Sequence, residues 1–416
     1  MKKGRIARLR SLGGTAARVG GRLVRAQQRL AAEELAASLG ELKGLPMKLG
    51  QMMSYLEEVM PEEHAEVWQE VLGKLQAHNE PVPNEQVLGV VEDALGAIDD
   101  HFERFDPEPI AAASIGQVYA ARGHDGRDVV VKVQYPGVRE AIASDLANSG
   151  TLAGVFQRVL RTDLSDIVRA VGERLLAECD YEHEAEAQER MRALWADEPA
   201  IVVPEVHRDL SSDRVLVSQR VHGLEWEDAR RAPLAERQAW AETLYRFFFA
   251  SLWHHGIFQA DPHPGNFLFK ADGGVAFLDF GAVTVYPPHI AEALTELRDL
   301  AIAGTLSGPV FRDALRRSLS FPDDLHPRVL EHLDAYGTAV MRPLSPPQPR
   351  KIDREHVREV MKLTFEAKQA LGLHALRHGL PRFEHAEVLL MGRVTFGLGS
   401  LLAHLDAESD WASLVS

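Results

Sequence analysis

The segment Gln259–Ala282, QADPHPGNFLFKADGGVAFLDFGA, constrains this chain more than any other. Two short apolar runs, 266–270 and 275–278, flank Asp272-Gly273-Gly274, which predicts a β-hairpin. Closing that hairpin brings Asn266 and Asp279 to the same end, close enough to share an ion. Asp261, four residues and an asparagine later Asn266, then Asp279-Phe280-Gly281 is the order in which a metal–nucleotide phosphotransferase presents its groups. In that reading Asp261 faces a hydroxyl or water. Asn266 and Asp279 are metal ligands, offering hard oxygen donors suited to Mg²⁺ held on phosphates. Each carboxylate alone could form a turn; their joint spacing argues for chemistry. His263 is a further candidate near the phosphates, with a structural role in the loop as the alternative.

The rest of the chain narrows the class. At 416 residues it is long enough for two or three domains or lobes. Apolar content of 45% and charged content of 26% are those of a globular protein. A net charge of −15 argues against nucleic acid as a partner, since such binding is driven by neutralising phosphates. The lone cysteine, Cys179, excludes an internal disulfide and fits a reducing, cytoplasmic setting. No apolar run approaches the roughly 18–20 residues that span a bilayer, and no apolar core of a secretory signal is evident. Residues 1–32 nevertheless carry nine Lys/Arg and no acid. Such an arm predicts peripheral contact with an anionic membrane at its inner face, mostly electrostatic; a merely solvated terminus is the alternative.

Along the chain, the first 100 residues read as helical, with helices at 22–43, from Pro46 to Met60, at 62–76 and at 84–98. Strand signals begin near Phe102. Residues 109–121 read as strand, tight loop, strand, Asp125-Gly126-Arg127 as a turn, and Val129–Gln134 as a buried strand carrying one lysine, Lys132. A lone lysine in a valine run is costly unless its head is used. Residues 139–197 read as helical, 201–204 and 214–218 as strands, and Val221-His222-Gly223 as a lobe hinge. Arg237–His255 reads as a helix rich in aromatic residues. Helices are expected at 288–303, 309–318, 353–372 and 384–405, with the proline-rich 343–349 an exposed connector.

Taken together these motifs resemble the ABC1/UbiB family of atypical protein-kinase-like proteins, which includes the Coq8/ADCK proteins. Lys48-x-Gly50-Gln51 resembles its KxGQ motif. Ala111-Ala112-Ala113-Ser114 resembles its alanine-rich nucleotide loop, Glu178-x-Asp180 its ExD motif, and Asp261–Asn266 with Asp279-Phe280-Gly281 its catalytic and metal set. Gln259-Ala260 stands where ordinary protein kinases carry His-Arg. The likeness spans roughly residues 40–340. Some bacterial relatives carry two C-terminal transmembrane helices; here 388–403 is too short and contains Arg393.

The resemblance implies an α+β, two-lobed protein-kinase-like fold with an N-terminal helical extension and additional C-terminal helices. It divides the chain into a basic arm (1–40), a KxGQ extension (41–100), an N-lobe with inserted helices (101–220), a C-lobe with the catalytic and metal loops (221–342) and a C-terminal helical region (343–416). Its cofactors are ATP (or ADP) and Mg²⁺. Lys132 would reach the α/β-phosphates with Glu184 as its helix partner, although Glu178, Asp180 and Glu182 lie close by. Small side chains at Ala111–Ser114 would let backbone N–H groups approach phosphates. Lys48 and Gln51 would meet Glu178 and Asp180 across a regulatory extension that occludes the protein-substrate face. The function implied is Mg-ATP-dependent hydrolysis or phosphoryl transfer in support of isoprenoid-quinone or related lipid metabolism. A quinone precursor or other isoprenoid lipid is then a partner besides the nucleotide. The alternatives are a small-molecule kinase of the aminoglycoside or choline phosphotransferase type, and a nucleotide-gated scaffold that presents lipids.

Overall fold

The computed structural model describes residues 82–113, 115–147, 176–321, 325–378 and 390–416. The basic arm, the Lys48–Gln51 motif and Ser114 lie outside these. In chain order, α1 (Asn84–Leu95) leads to β1 (Phe102–Phe105), β2 (Ala111–Ala113), β3 (Gly116–Gly123), β4 (Asp128–Gln134) and α2 (Val138–Ala147). Then come α3 (Tyr181–Leu194), β5 (Ile201–Val202) and β6 (Val215–Gln219). A long helical stretch follows as α4 (Leu234–Tyr245), a π-helical turn at Arg246–Ala250 and α5 (Ser251–His255). The Gln259–Ala282 region carries β7 (Ile257–Gln259), β8 (Phe267–Phe269), β9 (Val275–Phe277) and, just beyond it, β10 (Val283–Val285). Helices α6 (Pro288–Ile302), α7 (Pro309–Ser318) and α8 (Pro327–Met341), strand β11 (Arg350–Lys351), helices α9 (Arg354–His378) and α10 (Leu390–Leu405), and strand β12 (Glu408–Ser409) complete the chain.

These elements form two compact units. One gathers the described residues up to 94 with those in 107–119 and 132–179; the other gathers 95–106, 120–131 and those from 180 onward. The division passes through β3 and β4. The largest sheet has the order β1-β3-β4-β6, with β2 also paired to β3.

In the first unit, α1 buries Val87, Val90 and Val91, one stripe at helical spacing. It stops at Gly96, whose φ of 94° suits glycine, so the helix is shorter than the 84–98 expected. The three alanines of β2 pair antiparallel with β3 in the register Ala111↔Val118, Ala112↔Gln117 and Ala113↔Gly116. The strand–strand pairing expected over 109–121 is therefore present.

The second unit is built around an aromatic core. Its three-stranded sheet has β5 parallel to β9 and β8 antiparallel to β9. The strand signals at 201 and 215 thus go to different sheets. Under the β8–β9 hairpin lies the α4–π–α5 stretch. Phe247 stacks on Phe277 with ring centroids 3.5 Å apart, Phe248 meets Phe267 edge-on, and Trp240 sits 5.3 Å from Phe269. The Trp240 indole also donates to the Lys270 carbonyl at 2.8 Å. A π turn is rare and widens the helix locally; here it falls on Arg246–Ala250, where Phe247 and Phe248 are both fully buried.

Two sequence expectations change. The proline-rich 343–349 is not simply an exposed connector, because Pro343, Leu344 and Ser345 are buried in a 3₁₀ turn. The sequence reading places no helix at 327–341, where the structure has α8, and α8 carries Gly337 in its interior. Tertiary packing explains that glycine: a Cβ there would fall 2.5 Å from the Leu315 side chain of α7. No helix among the described residues is long and apolar enough to cross a membrane.

Candidate active site

Two short ribbons hold the polar residues of the Gln259–Ala282 segment. The hairpin register is Phe267↔Phe277 and Phe269↔Val275, and the Leu278 amide donates to the Asn266 carbonyl at 3.0 Å. Asn266 and Asp279 therefore stand at the open end together, as the sequence predicts. The second ribbon pairs Gln259 with Val283, and the Ala260 amide donates to the Ala282 carbonyl at 3.0 Å. Asp261 leaves this ribbon just as Asp279-Phe280-Gly281 enters it. Phe267, Phe269, Phe277 and Phe280 are buried, while Asp261, Asn266 and Asp279, at the ends of the strands, are half-buried.

The side chains interlock. Asn266 Nδ2 donates to Asp261 Oδ2 at 3.2 Å and to the Asp261 carbonyl at 3.3 Å. An asparagine whose nitrogen donates to a carboxylate still has its Oδ1 to offer as a hard oxygen donor. Asp279 Oδ1 accepts from the Gly281 amide at 3.0 Å, which fixes the turn. Glu184, on α3, is 3% exposed. Its Oε2 and Asp279 Oδ1 each lie 3.6 Å from where a Cβ on Gly281 would stand. Both carboxylates therefore border the Gly281 position. Mg²⁺ takes one or two carboxylates plus phosphate oxygens rather than a protein cage, so Asn266 and Asp279 fit it.

Gln259, which is 3% exposed, carries a role that the sequence reading missed. Its Nε2 donates to the Asp279 carbonyl at 2.5 Å while its Oε1 accepts from the Asp261 amide at 3.2 Å. One amide side chain thus ties the Asp261 loop to the Asp279 turn. Its place two residues before Asp261 was the only available signal. His263 takes the structural alternative: it is exposed, and its Nδ1 accepts from the Gly265 amide at 3.1 Å.

Of the four neighbouring acids, the structure separates Asp180 from Glu184. Asp180 is the N-cap of α3, its Oδ1 accepting from the His183 amide at 3.2 Å. Glu184, one turn later, points inward. Glu178 lies in a short helical turn ahead of Cys179. Lys132 is on β4, where Val129, Val131 and Val133 are fully buried and form one face. Lys132 shares the other, half-buried face with Val130, so its charge is not enclosed by the valines beside it in sequence. Lys132 and Ala111–Ala113 belong to the first unit, Glu184, Asp261, Asn266 and Asp279 to the second. At the expected hinge Val221–Gly223 the chain is exposed but tied to β8: a Cβ on Gly223 would lie 2.9 Å from the Phe269 carbonyl, and Leu224 and Phe269 exchange both backbone hydrogen bonds.

Residues 74–303 match the family model of the ABC1 atypical kinase-like domain. The chain belongs to the ABC1 atypical kinase-like family. Its ABC1 relatives include the mitochondrial atypical kinase COQ8 of Saccharomyces cerevisiae, 32% identical over 66% of this chain and 54% of that protein. The probable protein kinase UbiB of Marinobacter nauticus is 32% identical over 62% of this chain and 48% of its own length. Atypical kinase coq-8 of Caenorhabditis elegans is 34% identical over 61% and 34%. The chain thus spans between a third and just over half of these relatives. Among solved structures, the Rv3197–erythromycin complex from Mycobacterium tuberculosis superposes with a TM-score of 0.61 at 28% identity, covering 96% of this chain and 97% of that one. The α+β, kinase-like ABC1 fold expected from the sequence is therefore present.

Proposed function

We propose that this ABC1 protein binds Mg-ATP and hydrolyses it or transfers its terminal phosphoryl group, in support of isoprenoid-quinone or related lipid metabolism. The observation that carries this reading is the hydrogen-bonded set Asp261–Asn266–Gln259–Asp279, with Glu184 buried beside it. Asn266 and Asp279 would hold Mg²⁺. When bound, the ion would neutralise charge on the phosphates. Asp261, oriented by Asn266 and by Gln259, would accept a hydrogen bond from water or an acceptor hydroxyl and take its proton. Lys132 would bind the α/β-phosphates and Glu184 would orient it. Backbone N–H groups of Ala111–Ser114 would approach the phosphates. Lys48 and Gln51, with Glu178 and Asp180, would form the regulatory extension. The divisions 1–40, 41–100, 101–220, 221–342 and 343–416, a cytoplasmic setting and contact of the basic arm with an anionic membrane belong to the same proposal.

One observation favours a second reading, transfer to a bulky small molecule: the solved Mycobacterium tuberculosis relative is a complex with erythromycin. Mass spectrometry for a phosphorylated product after incubation with ATP and erythromycin separates it from plain hydrolysis.

The test of the main reading is Mg²⁺-dependent ATP hydrolysis by the full chain. Asp261→Asn should lower turnover about 10²–10⁴-fold while leaving Mg-ATP affinity within about threefold, since a positioning base contributes to the transition state rather than to binding. Turnover equal to wild type overturns the reading.

A further inference from the structure

Helix α10 lies beyond the residues that match the family model, yet it touches the loop that carries Asp261. A Cβ on Gly397 would stand 2.5 Å from Pro262 Cγ, 3.4 Å from its Cβ and 3.6 Å from its Cδ. The backbone of the helix therefore rests directly on the ring of the residue after Asp261, and Pro262 is buried by the surrounding structure. Neither side has slack. A proline ring has no rotamer into which it can swing away. On the other side, α10 is anchored by Val394 and Leu398, both fully buried, and by Leu401 and Leu402 in the same core. Its last carbonyl, that of Leu405, accepts from Arg237 Nη1 at 2.8 Å.

The glycines of α10 are not equivalent. Gly392 has open space where a Cβ would go, and Gly399 would make ordinary contact with Val357 at 3.4 Å. Only at 397 does a side chain collide. Glycine weakens a helix interior relative to alanine, so close approach to Pro262 is a physical reason for one here. On its other flank the loop is held by Gln259 Oε1 on the Asp261 amide and by Asn266 Nδ2 on Asp261 Oδ2, both at 3.2 Å. A push on Pro262 would then move Asp261 rather than be absorbed.

We infer that Gly397 is a positioning residue, and that the backbone of α10 sets the depth of the Asp261 loop. This rests on the role proposed above for Asp261. Displacement of a catalytic group by about 1 Å from a remote change can lower rate on the order of 10²-fold.

The experiment measures kcat and KM for Mg²⁺-dependent ATP hydrolysis, with thermal melts, for wild type, Gly397→Ala, Gly392→Ala, Pro262→Ala and the Gly397→Ala/Pro262→Ala double variant, all as full chains. The expected result is a kcat at least tenfold lower in Gly397→Ala with KM within about threefold, and wild-type kinetics in Gly392→Ala. Removing the ring should relieve the collision, so the double variant should turn over close to Pro262→Ala alone. A folded Gly397→Ala with wild-type kcat overturns the inference, and so does a loss that the double variant fails to recover. Where Gly397→Ala alone does not fold, a folded double variant matching Pro262→Ala supports the inference, and an unfolded one overturns it. Absence of ATP hydrolysis in wild type overturns the role of Asp261 and this inference together; wild-type hydrolysis with an unaffected Gly397→Ala overturns the inference alone.

Discussion

The Gln259–Ala282 segment and the C-terminal region from α9 to the chain end surround the same chemistry by different means. The first is held by short polar links: Asn266 to Asp261 across five residues, Gly281 to Asp279 across two, Gln259 to Asp279 across 20. The second reaches back across most of the second unit. Arg237 and Gln238 of α4 donate to the carbonyls of Leu405 and Glu408, 168 and 170 residues away. Trp411 is fully buried, with its ring 4.8 Å from Tyr245 and its indole donating to the Arg350 carbonyl at 2.7 Å. Local hydrogen bonds set which atoms face the nucleotide in the proposed mechanism, while distant apolar packing sets where the segment sits. A polar change in the segment should therefore alter rate, loss of apolar bulk from the tail should alter stability, and only where the tail rests on the Asp261 loop, at Gly397, should a tail change reach the rate.

The largest stability effect should come from the tail. Trp411→Ala removes a fully buried indole from the main core and should destabilise the protein by about 3–5 kcal/mol, read as a fall in the denaturant midpoint. A loss under about 1 kcal/mol would mean that the tail packs on a unit already stable without it.

Asp180→Ala is a smaller local test. Losing the N-cap of α3 should cost about 1 kcal/mol, seen as a lower midpoint. Because α3 also carries Glu184, hydrolysis assayed on the folded variant shows whether Asp180 acts beyond its cap. A turnover loss of more than about tenfold in folded protein would assign it a share in the regulatory extension.

The smallest effect is a long-range polar one. His207 is 5% exposed and its Nδ1 faces Arg127 Nη1 at 2.8 Å, 80 residues away in sequence. Burial, then the Arg127 charge, holds the imidazole below the usual histidine value. A folded-state pKa below the unfolded one means that the unfolded chain takes up the proton first as pH falls. The contribution is present above the ordinary histidine value of about 6.5 and is lost as pH drops through the lowered folded value. Thermal melts between pH 7.5 and 5.5 should show a shallower decline for His207→Gln than for wild type; equal declines would remove His207 from the account.

The same contrast explains what could be read in advance. The hairpin, the shared end of Asn266 and Asp279, and the β2–β3 turn depend on residues close in sequence, where glycine, aspartate and alternating apolar residues carry the signal. The buried Glu184 stood one helical turn past its cap, also a local pattern. The role of Gln259 was not legible, because its two partners become neighbours only when β7 pairs with β10. The contacts of Gly337 with Leu315 and of Gly397 with Pro262 were hidden by distance along the chain; in both, glycine answers a neighbour that the local sequence does not contain. The face taken by Lys132 follows from strand alternation, which a count of valines around it does not reveal.

The most direct test of the central claim is calorimetric titration of Mg-ATP into wild type and Asp279→Asn, repeated with EDTA. Binding to wild type should require Mg²⁺, and Asp279→Asn, with one carboxylate oxygen replaced by an amide, should lose at least about tenfold in Mg-ATP affinity. Affinity that is unchanged by the substitution and by EDTA would contradict the assignment of Asn266 and Asp279 as the metal-holding pair.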